Sequence, residues 1–367
     1  MEARIQLQSD WYTALRENEG EVWVSCKIPG KPTVYGSLKC QGVNHDGIPE
    51  VTASEEFEVL EVLKKSIHIS CPSGRTSSKF IVPYTSFPRI HDKSITCLDI
   101  SCGGGLGVST STDGSMKIWN CKNGERRRDL AGHVYDVNCC RFFPSGMVVL
   151  SGGMDAQVKV WSCEDGTCPV TFKGHKAGIL DTAIVDRGRN VVSCSRDGTA
   201  RLWDCGKSAC LAVVADCGAP VNGCSVGVAD NSMNLGAPRK AQVRERTPVF
   251  EFPGSDALNC CAFLSSLYIV AGAQDGSIYQ LDVRSLGTPV QVFHKSGAPV
   301  HSIQPIREGF IASQGDGSTF IVQQDLDHTI ELSGPDADPV YKAAVWEKSV
   351  FTCCRDGLVR KYQLPNL

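Results

Sequence analysis

Residues 191–203, VVSCSRDGTARLW, decide the fold. Small or apolar side chains alternate with polar ones on both sides of an Asp-Gly pair, the pattern of two antiparallel strands joined by a tight turn. The same pattern stands upstream in STDGSMKIWN (111–120) and GGMDAQVKVW (152–161). The turn aspartates, Asp113, Asp155 and Asp197, are 42 residues apart. Six residues after each comes a Trp (Trp119, Trp161, Trp203), and four before it a Ser (Ser109, Ser151, Ser193). A His lies 22 residues before each Asp: His91, His133 and His175. Strand hairpins recurring at a period near 40 residues predict four-stranded sheets stacked radially, a β-propeller.

The period continues more loosely. Asp275, Asp316 and Asp356 follow at spacings of 41 and 40, with Leu281, Val322 and Tyr362 at the Trp positions. Ala271, Ala312 and Thr352 take the Ser positions, and only His294 keeps the His spacing. The 78 residues between Asp197 and Asp275 leave room for one further unit, so the expectation is an all-β, seven-bladed ring. Its fourth blade is degraded: residues 229–252 hold no Asp-Gly hairpin, and only VNGCSVGV (221–228) and TPVFEF (247–252) read as strands. The last unit stops short of an outermost strand, and SKFIVPYTSF (78–87) is expected to pair there and latch the ring.

Residues 1–77 do not share the period and read as a small α+β appendage beside a propeller of residues 78–367. Ser9-Asp10 marks a helix start and Gly20 its stop, followed by strands in EVWVSCKI, TVYGSLKCQGV and SEEFEVLEVL, the last with a helical alternative.

Lys and Arg total 37 against 40 Asp and Glu, a net charge of −3, which argues against a nucleic-acid partner. No run approaches 18 apolar residues, and the start MEARIQLQSDWY lacks a signal-peptide core, so neither a membrane nor secretion is expected. The 19 cysteines include no C-x-x-C, and Cys139/Cys140, Cys260/Cys261 and Cys353/Cys354 are adjacent, pointing to opposite faces of a strand. They read as small buried hydrophobes in a reducing compartment, cytoplasm or nucleus. No motif calls for a metal or cofactor.

Ser, His and Asp at fixed spacing invite a hydrolase reading, but three copies of one triad suit structure better than catalysis. A buried indole N–H needs an acceptor; a Ser hydroxyl can accept from it and donate to His, whose other nitrogen an Asp holds. With no G-x-S-x-G elbow, phosphate loop or H-E-x-x-H, the chain is expected not to be an enzyme. The basic stretches at Arg126, Arg127 and Arg128 and at 243–246 are interrupted by acids and read as solvated loops. Recognition then falls to one rim of the ring, the residues just before each turn Asp and just after each His. These are Thr112, Met154, Arg196, Gln274 and Arg355, with Asp92, Lys93, Tyr135 and Asp136 nearby.

The repeats resemble the WD-repeat family, with Gly132-His133 and Gly174-His175 as Gly-His pairs and Trp203-Asp204 as a full Trp-Asp. The resemblance is narrower still in residues 132–161 and 172–211, and in YGSLKCQG, DGIPEVTASE, KSIHISCP, ASQGDGS and FTCCRDGLVRKYQL. These stretches are similar to the proteasomal ATPase-associated factor family, from about Gln8 to the C-terminus. The resemblance implies a non-enzymatic propeller, monomeric when free, that binds ATPase subunits of the proteasome's regulatory particle. It further implies an assembly chaperone that can restrain joining to the 20S core. In that family the segment between the third and fifth repeats is longer than here, which implies a shortened fourth blade with exposed sheet edges. A competing reading is a substrate receptor for a cullin-type ubiquitin ligase, from the D-x-R in Leu281-Asp282-Val283-Arg284. A generic WD scaffold is another.

Overall fold

The computed structural model describes residues 3–17, 19–88, 90–227, 252, 254–285, 287–323 and 328–364. Among the described residues six blades have four strands each, with the first strand innermost; blades 1, 2, 3, 5 and 6 use four consecutive antiparallel strands and blade 7 three. Blade 1 runs through Ile95–Ile100, Leu106–Ser111, Met116–Asn120 and Arg126–Asp129. Blade 2 begins at Val137–Phe142, blade 3 at Ile179–Val185, blade 5 at Leu258–Phe263, blade 6 at Val300–Ile306 and blade 7 at Val340–Trp346. Neighbouring inner strands pack side by side from blade 5 through 6, 7, 1 and 2 to blade 3.

The turn aspartates explain why the hairpins form where they do. In all six blades the Asp carboxylate accepts the backbone N–H two residues on, at 2.9–3.2 Å. The residue between has positive φ; it is glycine in five blades and Ala156 (φ 58°) in blade 2. Cores form between blades, because each sheet is apolar on both faces. Cys140 packs with Val108 and Ile118 of blade 1, while its neighbour Cys139 packs with Ile179 and Val191 of blade 3. Trp119, Trp161 and Trp203 are all at most 1% exposed.

Between blades 3 and 5, residues 221–227 hold no regular secondary structure. They still occupy the position of an inner strand: the Cys224 N–H donates to Asp181 of blade 3, and the Asn222 amide to the Leu258 carbonyl of blade 5. The shortened segment expected at 229–252 lies, apart from Phe252, outside the described residues.

Ring closure differs in detail from the expectation. The strand completing blade 7 is Thr85–Phe87, antiparallel to Val359–Gln363, with the Tyr84 N–H also donating to the Lys361 carbonyl. Residues 78–81 lie instead in Thr76–Ile81, which pairs in parallel with Thr329–Leu332 of blade 6. With Ser66–Cys71 and Glu58–Leu63 it extends blade 6 to seven strands. The chain therefore crosses the 77/78 boundary inside a strand. Two sheet edges are covered by this stretch, blade 6 by residues 76–81 and blade 7 by residues 85–87.

Before it, Arg4–Leu7, Glu21–Lys27, Val34–Val43 and Pro49–Ala53 form a separate four-stranded sheet. The helix after Asp10 is a single turn, Trp11–Ala14, and Asp10 makes no side-chain cap. Gly20 is required where the chain turns back, since a Cβ there would sit 1.8 Å from the Ala14 carbonyl oxygen. Of SEEFEVLEVL, Glu58–Leu63 is a strand rather than a helix. Trp11 anchors the appendage, its indole donating to Ser333 Oγ at 3.2 Å, and Arg4 pairs with Asp316 of blade 6 at 3.6 Å.

Candidate functional site

The His, Ser, Asp and Trp of each early repeat meet inside their blades. In blade 2, His133 Nδ1 lies 2.9 Å from Asp155, and its Nε2 lies 2.7 Å from Ser151 Oγ. Ser151 Oγ also accepts from Trp161 Nε1 at 2.8 Å. A carboxylate only accepts, so His133 carries its proton on Nδ1 and takes the Ser151 proton at Nε2; every donor is matched. Blade 3 repeats this with His175, Asp197, Ser193 and Trp203. There Thr199 Oγ1 also donates to Asp197 at 2.7 Å. Burial holds His133 and His175 below the usual imidazole range, each opposed by its aspartate. Asp197 falls below the usual carboxylate range because Thr199, Lys176 and His175 donate to it against its partial desolvation.

Blade 1 corrects the expected pattern. His91 Nε2 meets Ser109 Oγ at 2.8 Å, and Trp119 donates to the same oxygen at 3.1 Å. His91 Nδ1, however, meets Ser115 Oγ at 2.9 Å rather than Asp113. Ser115 is interposed, and Asp113 stays exposed, accepting the Ser115 N–H. With no carboxylate on the ring, burial and the nearby Lys117 push His91 down to about 4. These side chains lie inside the blades and hold strands together; they form no open reactive centre.

Later blades improvise. Blade 5 links Ser255 to both Tyr279, at 2.6 Å, and Asp275. Blade 6 uses Gln314, accepting from Ser296 and Ser318 and donating to the Ala298 carbonyl. Blade 7 uses Tyr362, donating to the Ser333 carbonyl at 2.8 Å, and an Arg360–Asp356 ion pair. The signal for these was weak because each blade solves the same hydrogen-bonding problem with different residues.

The predicted rim residues share a backbone device. The N–H of Thr112, Met154, Arg196, Gln274 and Arg355 donates to the carbonyl of Ser94, Asp136, Gly178, Ala257 and Pro339, respectively, in the loop entering the same blade's inner strand. Loops from the following blade then lie against each turn. Gly357 approaches the Lys93 carbonyl, Gly114 the Tyr135 carbonyl, and Gly178 the Met154 side chain. Arg355, Lys93, Asp92, Thr112, Tyr135, Asp136, Met154 and Arg196 therefore form one arc across blades 7, 1, 2 and 3. Gln274 stands apart from it, in blade 5, bonded to Asn259 at 2.9 Å. Arg355 is paired with Asp338 at 3.6 Å, and Met154 is half-buried. The sequence reading missed Val134, which at 73% exposure stands beside Tyr135 at 63%. An apolar residue directly after a Gly-His pair was the available signal.

The central channel holds a cavity of about 450 Å³ walled in part by Asp99, Arg141, Asp181 and Lys342. Arg141 donates to Asp181 at 3.1 Å, whose field raises the guanidinium above its ordinary value despite burial. Among the described residues no His, Cys, Asp and Glu cluster is arranged to hold a metal ion, and no helix is long and apolar enough to cross a membrane.

The WD domain, G-beta repeat family model matches residues 83–120, 124–162 and 166–204, each spanning the outer strand of one blade and the first three strands of the next, from blade 7 round to blade 3. Proteasomal ATPase-associated factor 1 of Homo sapiens is 68% identical over 392 aligned positions, covering 100% of both chains. The Bos taurus protein of that name is 67% identical with the same coverage. The chain belongs to the proteasomal ATPase-associated factor 1 family. A probable member from Dictyostelium discoideum is 34% identical over 98% of this chain and 95% of its own length. The human alignment has 392 positions against 367 residues here, so at least 25 of them face a gap in this chain.

Proposed function

We propose that this chain binds ATPase subunits of the proteasome regulatory particle through the arc of rim residues on blades 7, 1, 2 and 3. The observation that carries the reading is the exposed Val134–Tyr135 pair at the centre of that arc, flanked by Asp92, Lys93, Asp136 and Arg196. An exposed aromatic beside an exposed apolar residue, with a polar and charged surround, is the composition of a protein-binding hot spot. The family membership supplies the partner class. Binding works sterically: a rigid ring clamped to one ATPase subunit blocks its neighbours, so it acts as a non-catalytic assembly chaperone and delays joining to the 20S core. It acts as a monomer, in the cytoplasm or nucleus, with neither nucleic acid nor membrane as partner.

An affinity pull-down of this chain from cell extract, probed for ATPases, 20S subunits and the cullin adaptor, tests the reading. Recovery of ATPases without the core particle is expected, and loss of that recovery in Tyr135→Ala/Arg196→Ala at unchanged melting temperature would place the contact on the rim. Recovery of the adaptor alone would favour the ligase receptor. Against that alternative, Arg284 is engaged with Asp282 of its own blade at 2.6 Å.

A further inference from the structure

The basic stretch at Arg126, Arg127 and Arg128, expected as a solvated loop, is a strand. Arg126–Asp129 is the outer strand of blade 1, paired on one side with Met116–Asn120. Every residue in it is exposed, and it brings no apolar side chain to any core. The other described outer strands all carry apolar residues, as in Val170–Lys173, Gln291–His294 and Thr329–Leu332. Packing therefore does not account for three consecutive arginines. Protection of a sheet edge does not account for them either, because Gln291–His294 leaves Val292 47% exposed with no Asp, Glu, Lys or Arg in the strand.

The three guanidinium groups are positioned by weak or neutral partners. Arg128 Nε and Nη2 donate to the Glu164 carbonyl of blade 2 at 3.1 and 2.6 Å, an uncharged acceptor that fixes the fork across the seam between the blades. Arg126 lies 3.6 Å from Asp129 and Arg127 3.8 Å from Glu125, with all four side chains more than half exposed. Exposed pairs of this kind contribute about 0–1 kcal/mol, so an incoming carboxylate exchanges with them at little cost. The ladder register breaks between Ile118 and Trp119, which pair with Arg128 and Arg126 and leave Arg127 as the extra residue. The edge thus presents guanidinium groups rather than an even row of backbone donors and acceptors. Glu125 and Asp129 bound the arginines at either end, so the charges run negative, three positive, negative.

We propose that this edge binds a short acidic segment of a partner protein, a run of carboxylates with a basic residue at each end. The guanidinium forks take the carboxylates in paired, charge-assisted hydrogen bonds. Glu125 and Asp129 attract the basic flanks and repel a longer polyanion such as a nucleic acid, so the charge order along the strand selects the ligand. The proposal does not rest on the rim reading, because neither Tyr135 nor Arg196 takes part.

The test is fluorescence anisotropy on the full chain with the labelled peptide Lys-Glu-Glu-Glu-Lys and its isomer Glu-Lys-Glu-Lys-Glu, which has the same composition and net charge. The first should bind with a Kd on the order of 100 µM and the isomer about 5-fold more weakly. Raising salt from about 0.05 to 0.5 M should weaken the first about 5-fold. Arg126→Glu with Arg127→Glu should abolish binding at an unchanged melting temperature, since both side chains are exposed. Arg126→Lys with Arg127→Lys keeps the charge but loses the forks, and should weaken binding about 3-fold. Tyr135→Ala should bind normally. Failure of Lys-Glu-Glu-Glu-Lys to saturate the chain would overturn the proposal, as would equal affinity for the isomer or binding that survives the charge reversal. Tighter binding of a short single-stranded oligonucleotide would overturn it too.

Discussion

Replacing Ser151 by Ala isolates what the buried networks contribute. The hydroxyl is fully buried and serves two partners, accepting from Trp161 at 2.8 Å and donating to His133 at 2.7 Å. Its loss leaves an indole N–H and an imidazole nitrogen unpaired where water does not reach, since Trp161 is 1% exposed. Each orphaned group costs about 1–3 kcal/mol, so Ser151→Ala should destabilise by roughly 2–6 kcal/mol. Unfolding a chain of 367 residues carries an entropy near 0.8 kcal/mol/K at about 2.1 cal/mol/K per residue, so the melting temperature should fall by about 3–8 °C. Differential scanning calorimetry reads this directly, with Thr112→Ala on the exposed rim as control. Adding Trp161→Phe removes the stranded donor, so the double variant should lose less than the sum of the two single changes. A shift under 1 °C, or strict additivity in the cycle, would show that the hydroxyl is dispensable and refute the network argument.

Ala156→Gly should stabilise by about 0.5–1 kcal/mol in chemical denaturation, since Ala156 occupies the positive-φ turn position that the other five described blades give to glycine. Phe87→Ala should cost about 3–4 kcal/mol by the same measurement, because Phe87 is 4% exposed and packs on Trp119 at the ring closure. For pH, burial lowers the folded-state pKa of His91 to about 4 from an unfolded value near 6.5. The unfolded chain therefore binds more protons between these values, so stability is complete above pH 6.5 and falls as pH drops towards 4. The loss from this residue is on the order of 3 kcal/mol, and His91→Gln should flatten that segment of a stability-against-pH curve.

How far each element could be read from the chain follows from how local its cause is. The Asp-Gly turns depend on one carboxylate and the N–H two residues away, so the hairpins were legible in every described repeat. The Trp, Ser and His of blades 1 to 3 recur in register, and their contacts within 22 residues followed from spacing. Ser115 in place of a direct His91–Asp113 contact was not legible, because one hydroxyl reorients a bond without altering the repeat. The rim residues were legible as positions; their union into an arc that leaves out Gln274 was not, because it depends on how blades abut.

By itself the sequence determined the class of fold, the register of its hairpins and the networks of blades 2 and 3, because strand alternation and turn chemistry act over a few residues. Only the tertiary structure decided where residues 76–87 go. Thr76–Ile81 joins blade 6 in parallel and Thr85–Phe87 closes blade 7, pairings across some 250 to 275 residues for which no local pattern exists.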